Sequence, residues 1–456
     1  MTSTFLIGSG AGFSGDRVDA PQSVVAAIAA SGKSGAIIFE TLAERTLALG
    51  HVARATDPEK GYEPLLEEFL PPILAQCYQH KIAIISNFGA ANPRAAAKLV
   101  RRIAAECGCP ELSIAVVEGD DIRDSIDLSK SQVWEGDAGL VGNADEIIAA
   151  NVYLGARAIA DALTAGANVV ITGRVADPAL VVGPLVAHFG WDWKDWDKIA
   201  SATLVGHLLE CGSQVSGGYF ADPGYKDVPA MENIGFPIAE VNQEGDIVIT
   251  KAAGTGGCIN AMTVKEQILY ELHDPANYLT PDVVLDITQV TIEEIGLDRV
   301  RVTGAKGKLR PPTLKATVNF PGDWLGEAEI SYAGPNAYAR ARLAADTIRK
   351  RLQMRGLIVR KRLDIIGAMC VFDSDAGSLI EADRGNPQEV RMRLAVSSEV
   401  KSDVDKSVQE VLALYCCGPA GGGGVRSRVQ NRIRTVSYLV PRDLVSPSFF
   451  FEGIPA

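Results

Sequence analysis

The sequence lacks the patterns that mark simple metal-binding, disulfide-rich or membrane proteins. Its 456 residues include eight cysteines and five histidines, with no C-x-x-C pair and no Cys/His cluster at zinc-finger spacing. The start, "MTSTFLIGSG", has no basic segment before its apolar stretch, and no run of about 18 apolar residues occurs anywhere. We therefore expect a cytoplasmic protein with reduced thiols and without a membrane-spanning segment.

Positive charge is also scarce. The chain has 44 Lys and Arg residues against 56 Asp and Glu residues, a formal net charge of -12. Such a balance argues against nucleic acid as the partner, because phosphate binding needs a basic face. The composition, 47% hydrophobic and 22% charged, is typical of a soluble globular enzyme.

Short apolar runs alternate with helical patterns over the first two hundred residues. The runs are "TFLIG", "GAIIFE", "KIAIISN", "LSIAVVEGDD" and "ANVVITGR". Because these runs are continuous rather than alternating, we expect strands that are buried on both faces. The pattern predicts a doubly wound parallel sheet over residues 1–204. A clear helix follows the third run in "NPRAAAKLVRRIAAEC", with Asn92 as N-cap and Pro93 as its first residue.

The pattern changes further along the chain. Residues 205–280 are dense in Gly and Pro, and we expect a connecting region that carries part of the site. From 281 to 456 the order is strands, a helix, two strands, a helix and a strand. That order predicts a C-terminal ferredoxin-like α+β domain.

Polar residues follow each of the five early strands, at the edge where open α/β sheets bind ligands. Among them, Asn87, Asp121 and Arg174 are candidates for the site. A guanidinium directly after a buried strand suits a carboxylate or phosphate, which makes Arg174 the candidate for binding an anion. Asp177, before Pro178, is more simply explained as a helix N-cap than as a catalytic acid.

The first strand leads into "GSGAGFSGDR", in which Gly10, Gly12 and Gly15 form a G-x-G-x-x-G pattern. Glu40 closes the second strand, where a ribose-binding acid would lie in a dinucleotide site. However, "DRVDAP" delays the following helix, so its N-terminus would be badly placed for a pyrophosphate. The sequence favours a loop that lets backbone approach a small ligand, with Arg17 beside it.

Two later segments add candidates. "GHLLECGSQVSGGYFADPGYKDVP" contains His207, Glu210, Cys211 and Asp222, groups able to act as acid, base or nucleophile. "CCGPAGGGGVRSRVQNR" combines the glycines around Gly422 with Arg426 and predicts an amide nest for an anion, although a flexible connection explains it equally well.

Many long motifs in fixed order carry a resemblance to a known family. They include "IGSGAGFSGDR", "SNFGAANPRAAA", "EGDD", "ITGRVADPAL", "TVKEQILYELHDPANYLTPDV" and "GPAGGGGVR". Together they resemble the acyclic terpene utilisation AtuA family, from near residue 5 to about 445. By this resemblance we expect a short form without the extra C-terminal domain of longer members, and a second, small subunit that replaces it.

The resemblance implies catabolism of acyclic terpenoids, which proceeds through branched acyl-CoA thioesters. It implies no proven catalytic residues, but Lys265 lies inside its motifs with the candidates above. We predict a lyase or hydratase that acts on a small branched carboxylate or its CoA thioester by hydration, dehydration or C–C cleavage. The predicted catalytic residues are Glu210, Cys211, Asp121 and Asp222. The predicted substrate-binding residues are Arg17, Asn87, Arg174, Gly12, Lys265, Gly422 and Arg426.

Three alternatives stay open at this point. The chain could be a nicotinamide-dependent oxidoreductase, or a non-catalytic subunit of a two-protein enzyme. It could also be a metal-dependent lyase in which Asp120, Asp121 and Asp222 bind Mg²⁺ or Mn²⁺. No cofactor is certain beyond coenzyme A as part of the substrate, and a homo-oligomer is the default expectation.

Overall fold

The computed structural model of the chain describes residues 4–135, 144–368, 370–375 and 387–453. The strands are β1 (Thr4–Ala11), β2 (Gly35–Phe39), β3 (Ile82–Ser86), β4 (Ile114–Glu118), β5 (Gln132–Glu135), β6 (Ala149–Val152), β7 (Val169–Thr172), β8 (Pro237–Asn242), β9 (Ile247–Lys251), β10 (Tyr278–Leu279), β11 (Val284–Asp286), β12 (Thr291–Gly296), β13 (Arg299–Thr303), β14 (Lys306–Lys308), β15 (Thr313–Ala333), β16 (Arg360–Ile366), β17 (Glu389–Ser398), β18 (Gly423–Pro441) and β19 (Ser448–Phe451). The α-helices are α1 (Ala20–Ser31), α2 (Glu44–Thr56), α3 (Leu66–Phe69), α4 (Pro71–His80), α5 (Pro93–Glu106), α6 (Arg157–Thr164), α7 (Ala179–Phe189), α8 (Trp196–Leu209), α9 (Ala261–Leu269), α10 (Ala337–Met354) and α11 (Lys401–Cys417).

The chain divides into two compact units. Unit 1 comprises residues 1–319 and 435–456, and unit 2 comprises residues 320–434. The divisions fall inside the long strands β15 and β18, close to Pro321 and Gly322 in β15. They do not coincide with the boundaries at 204 and 280 that the sequence suggests, since β8 and β9 from the Gly/Pro-rich region belong to unit 1.

Unit 1 is built on a large mixed sheet. Its strand order is β12-β13-β9-β8-β1-β2-β3-β7-β4-β19. The five strands β1, β2, β3, β7 and β4 pair in parallel, and each corresponds to one of the apolar runs of the sequence. The predicted parallel sheet is therefore confirmed. Antiparallel strands extend it at both sides, with β8 beside β1 and β19 beside β4.

Helices pack on the parallel strands because those strands carry apolar residues on both faces. The side chains of α1, α4 and α5 form one core with alternate strand residues such as Ile37, Ile84 and Ile171. Helices α6 and α7 pack on each other and also contact the parallel strands. Helix α5 begins as predicted, since Asn92 is its N-cap and accepts a hydrogen bond from the backbone N–H of Ala95.

The described part of unit 2 contains an antiparallel sheet and two α-helices. The elements follow one another as strand β15, helix α10, strands β16 and β17, helix α11 and strand β18, and their order in the sheet is β16-β17-β15-β18. Alternate residues of β17, including Met392 and Leu394, are buried against α10 and α11, whereas Arg393 forms an ion pair with Glu327. Assignment of this unit to the ferredoxin-like fold stays a prediction.

None of the helices in the described part of the chain combines the length and the apolar character that a membrane span needs.

Candidate functional site

A cavity of about 810 Å³ lies in unit 1, at the carboxyl ends of the parallel strands. Gly12 follows β1, Glu40 follows β2 and Arg174 follows β7, and all three line it. The described residues that line it are Gly12, Phe13, Asp16, Glu40, Leu42, Ala43, Glu44, Trp134, Tyr153, Arg174, Ala176, Asp177, Pro178, Glu210, Cys211, Ser213, Gln214, Gly218, Tyr219, Tyr270, Glu271, Tyr278, Leu279, Thr280, Pro281, Pro311, Thr313, Leu314, Lys315 and Leu439. Its volume is within the range of small-molecule sites, which is roughly 300–1,000 Å³.

The glycine loop after β1 is packed against the segment that follows α8. A Cβ atom on Gly12 would lie 2.3 Å from the backbone carbon of Cys211 and from the backbone nitrogen of Gly212. The carboxylate of Asp16 accepts hydrogen bonds of 2.8 Å from the backbone N–H groups of Gly12 and Arg17. The glycine at position 12 is thus required by close backbone contact, and two amides of the loop bind its own aspartate.

Glu40 is a buried carboxyl group at the end of β2. Its Oε1 accepts hydrogen bonds from the backbone N–H of Leu42, at 2.9 Å, and from the side-chain amide of Asn87, at 2.8 Å. Burial and the nearby charge of Asp177 raise the pKa of Glu40 to about 8, against the effect of Arg174 and the two hydrogen bonds. Glu40 is therefore mostly protonated at neutral pH, and Oε2 is the oxygen left to carry the proton.

Arg174 is fully buried, and protein groups surround its guanidinium. Its Nε donates to the backbone carbonyl of Val175 at 2.7 Å, and its terminal nitrogens donate to the carbonyl of Leu42 and the carboxylate of Asp177. The guanidinium also stacks over the ring of Tyr153, 4.5 Å from the centroid. Arg174 therefore binds Asp177 and two backbone carbonyls, so the positive charge that it presents to the cavity is already paired.

A second charged group on the wall consists of Glu44, Tyr153 and Lys315. The hydroxyl of Tyr153 donates to Oε1 of Glu44 at 2.5 Å, and Nζ of Lys315 lies 3.4 Å from the same oxygen. Burial alone would raise the pKa of Glu44, but the hydrogen bond from Tyr153 and the charges of Lys315 and Arg174 outweigh it and lower that pKa. Glu44 is thus ionised and paired with Lys315.

A buried chain of polar groups holds the backbone at Arg174. Oδ2 of Asp120 accepts hydrogen bonds from the backbone N–H of Arg174, at 2.8 Å, and from the side-chain amide of Asn151, at 2.9 Å. The amide oxygen of Asn151 lies 2.8 Å from Nε2 of His51. Burial raises the pKa of Asp120 to about 6, above its usual value, in spite of these hydrogen bonds. Asp120 thereby fixes the loop that presents Arg174 to the cavity.

His207 and Glu210 form a buried pair at the end of α8. Nε2 of His207 lies 3.1 Å from the carbonyl oxygen of Ile268, which only accepts, so Nε2 carries a proton. Nδ1 lies 3.0 Å from Oε1 of Glu210, so one further proton is shared between imidazole and carboxyl. Oε2 of Glu210 is buried and accepts no hydrogen bond from the residues described. The pair can take up or release a proton toward the cavity that Glu210 lines.

The environment of the pair displaces both pKa values. Burial raises the pKa of Glu210, and the hydrogen bond and charge of His207 offset only part of that shift. Burial alone would lower the pKa of His207, but the hydrogen bond and charge of Glu210 outweigh it and raise that pKa. Such mutual displacement is typical of groups that exchange protons in catalysis.

The comparison with protein-family models decides the family. The model of the "Acyclic terpene utilisation family protein AtuA" matches residues 5–451, nearly the whole chain. The chain belongs to the acyclic terpene utilisation AtuA family. No curated protein gives a significant match. Among solved structures, a hydantoinase/carbamoylase family amidase from Burkholderia ambifaria matches with 13% identity and a TM-score of 0.15, over 28% of this chain and 29% of that one. That likeness is too slight to bear on the fold.

The structure of this AtuA family member brings together part of the predicted site. Gly12, Arg174, Glu210 and Cys211 line the cavity, and Asn87 lies behind it, where it donates to Glu40. Burial, followed by the charge of Glu210, raises the pKa of Cys211. A thiol with a raised pKa stays protonated at neutral pH, which does not favour Cys211 as a nucleophile.

The remaining predicted residues lie elsewhere in the chain. Asp121, Asp222 and Lys265 are exposed and do not line the cavity, and Gly422 and Arg426 belong to unit 2. Arg17 also lies outside the lining, where it pairs with Asp19 and donates to the carbonyl of Ile234. Within the described ranges, no group of three or more His, Cys, Asp or Glu side chains is placed to hold a metal ion.

Several residues that line the cavity are not predicted from the sequence. Tyr153 and Lys315 reach the wall through β6 and β15, which pair although they are far apart in sequence, so no local pattern marks them. The helix N-cap role that the sequence predicts for Asp177 is wrong. Helix α7 has Pro178 as N-cap without a side-chain hydrogen bond, and the Asp177 carboxylate accepts from Arg174 instead.

Proposed function

We propose that the chain is a catabolic lyase or hydratase that acts on a small branched carboxylate or its CoA thioester by hydration, dehydration or C–C cleavage. The observation that carries this proposal is the pair of buried carboxyl groups, Glu40 and Glu210, with raised pKa values in one cavity. Reactions at a carbon beside a carbonyl need one group that removes a proton and another that supplies one. The family, named for acyclic terpene utilisation, supports branched substrates.

The two carboxyl groups take different roles in this proposal. In dehydration, the carboxylate of Glu210 takes the proton from the carbon beside the carbonyl. The C–O bond at the next carbon then breaks, its electron pair goes to the oxygen, and that oxygen leaves as water with the proton of Glu40. The carbon–carbon double bond forms between the two reacting carbons, and hydration is the reverse. His207 positions Glu210 and holds the shared proton.

The same reasoning changes the role proposed for Arg174. Its donors bind Leu42, Val175 and Asp177, so we propose that it positions Asp177 rather than the substrate. Asp121 and Asp222 lie outside the cavity lining and have no role in this proposal. Coenzyme A enters only as the activating group of the substrate.

Exchange of a substrate proton with solvent tests the proposal. The purified protein is incubated in D₂O with a panel of branched acids and their CoA thioesters, and deuterium at the carbon beside the carbonyl is followed by NMR. Removal of a general base costs about 10²- to 10⁴-fold, so Glu210→Gln should lose exchange to that extent. Glu266→Gln is the matched control, since this exposed glutamate pairs with Lys226 and does not line the cavity.

The outcomes separate the proposal from its alternatives. Exchange by the wild-type protein that is lost in Glu210→Gln and kept in Glu266→Gln supports it. Exchange only after addition of a second protein would favour the subunit alternative, and reduction of a nicotinamide during turnover would favour the oxidoreductase. Equal exchange by both variants would remove Glu210 from the reaction.

A further inference from the structure

Resting on the proposed function, we infer that the part of the substrate that enters the cavity is uncharged: the acyl group of a thioester rather than a free carboxylate or an ammonium group. The inference depends on how the charges of the lining are balanced. A charged ligand needs a counter-charge that the protein has not already used, because charges removed from water without a partner are costly.

The cations of the described lining are both engaged. Arg174 donates to Asp177 and to two backbone carbonyls, and its other face is stacked on Tyr153. Lys315 lies 3.4 Å from Glu44 and 3.6 Å from Glu135. A free carboxylate in the cavity would have to compete with a protein carboxylate for either cation, while lying near further acids.

Five of the six carboxyl groups in the described lining are likewise matched inside the protein, and the sixth, Glu271, is exposed to solvent. Glu40 is kept protonated by burial, Glu210 shares a proton with His207, and Asp177 and Glu44 have Arg174 and Lys315 as partners. Asp16 accepts from two backbone amides. An ammonium group placed away from Glu271 would therefore also find its counter-charges taken.

The rest of the lining suits a neutral, branched chain. Leu42, Pro178, Leu314 and Leu439 supply apolar surface, and Tyr278 packs beside His207 with a ring separation of 5.4 Å. At the outer part of the lining, Phe13 and Tyr219 are 57% and 86% exposed, so the cavity reaches the surface there. A thioester can thus place its acyl chain inside while the thiol portion extends outward.

Three ligands with the same branched skeleton test the inference by titration calorimetry. The probes are 3-methylbut-2-enoic acid, its thioester with N-acetylcysteamine, and the corresponding primary amine. At pH 7.5 the thioester should bind the wild-type protein at least about tenfold more tightly than the acid and the amine. Tighter binding of either charged probe would overturn the inference.

Glu44→Gln provides a second test that does not depend on absolute affinity. Removal of the Glu44 charge leaves Lys315 with Glu135, at 3.6 Å, as its acidic partner, so the affinity for the acid should rise relative to the thioester by about tenfold. The exposed Glu266→Gln variant should leave that ratio within about twofold. An unchanged ratio in Glu44→Gln would show that Lys315 is not held by Glu44 and would contradict the charge balance.

The failure of this inference is distinguishable from failure of the proposed function. If the acid probe binds best and saturated branched acids of the D₂O panel exchange their proton through Glu210, the inference is wrong and the function stands. If the thioester probe binds best but no saturated thioester of the panel exchanges a proton in D₂O, the function is wrong and the inference stands.

Discussion

Replacement of Arg174 by alanine should destabilise unit 1 rather than only weaken substrate binding. The side chain is 1% exposed, and it joins β7 to the Leu42 segment and to Asp177. Alanine would leave two carbonyls and a carboxylate without their donor and would empty the space beside Tyr153. Arg17→Ala is the matched control, because Arg17 pairs at the surface with the 64% exposed Asp19.

The expected loss of unfolding free energy follows from the groups that Arg174 binds. Breaking a buried ion pair from one side costs about 3–5 kcal/mol, since the remaining charge has no partner. The Asp177 side chain is 37% exposed, so water can solvate part of its charge and we expect the lower end, about 3 kcal/mol. The Arg17→Ala variant should lose only about 1 kcal/mol, as for an exposed pair.

Urea unfolding followed by tryptophan fluorescence measures both changes. We expect the unfolding midpoint of Arg174→Ala to fall well below that of Arg17→Ala. Arg174→Lys keeps the charge but loses the planar fork, and it should unfold between Arg174→Ala and the wild type. An unchanged midpoint in Arg174→Ala together with a raised KM would refute this reasoning and make Arg174 a direct substrate contact.

Three further predictions concern single groups of the cavity. The raised pKa of Glu40 means that the folded state binds more protons than the unfolded state between pH about 4.5 and about 8, so stability should fall as pH rises through that window. Glu40→Gln should remove this part of the slope in urea midpoints measured from pH 5 to pH 8, and parallel slopes would contradict it. Gly12→Ala should cost about 1–3 kcal/mol because its Cβ would meet backbone at 2.3 Å, whereas Gly296→Ala, whose Cβ would have its nearest non-neighbouring atom at 3.8 Å, should be close to neutral. The reverse order would show that Gly12 is not held by close contact. Iodoacetamide at pH 7.5 should alkylate the exposed Cys416 much faster than Cys211, because burial raises the pKa of the Cys211 thiol. Peptide mass mapping that finds Cys211 modified first would contradict this.

The parallel sheet could be predicted from the sequence because its signals are local. Each of the five strands is a continuous apolar run that ends in a turn residue, and the polar residues after β1, β2 and β7 do reach one cavity. Helix α5 was predictable for the same reason, since Asn92, Pro93 and one apolar face all lie within sixteen residues. The sequence was sufficient to predict the structure wherever the groups that a residue contacts lie close to it along the chain.

The rest depended on contacts that a local pattern does not contain. Lys315 and Tyr153 meet at the cavity only because β15 pairs with β6. Asp177 looks like a helix cap, yet Arg174, three residues earlier, binds its carboxylate. The glycine pattern around Gly12 fits a phosphate-binding loop and a closely packed loop equally well. Only the contact with the backbone of Cys211, which is distant in sequence, shows that close packing requires the glycine.

The protonation state of Glu40 is the most direct test of the acid–base account. An infrared difference spectrum between the wild-type protein and Glu40→Gln at pH 7 reports it, because a protonated carboxylic acid and a carboxylate absorb at different frequencies. The account predicts that the wild type shows the carbonyl band of a buried protonated carboxyl group and that Glu40→Gln lacks it. Loss of a carboxylate band instead would show that Glu40 is ionised, and the proposed proton donor would be wrong.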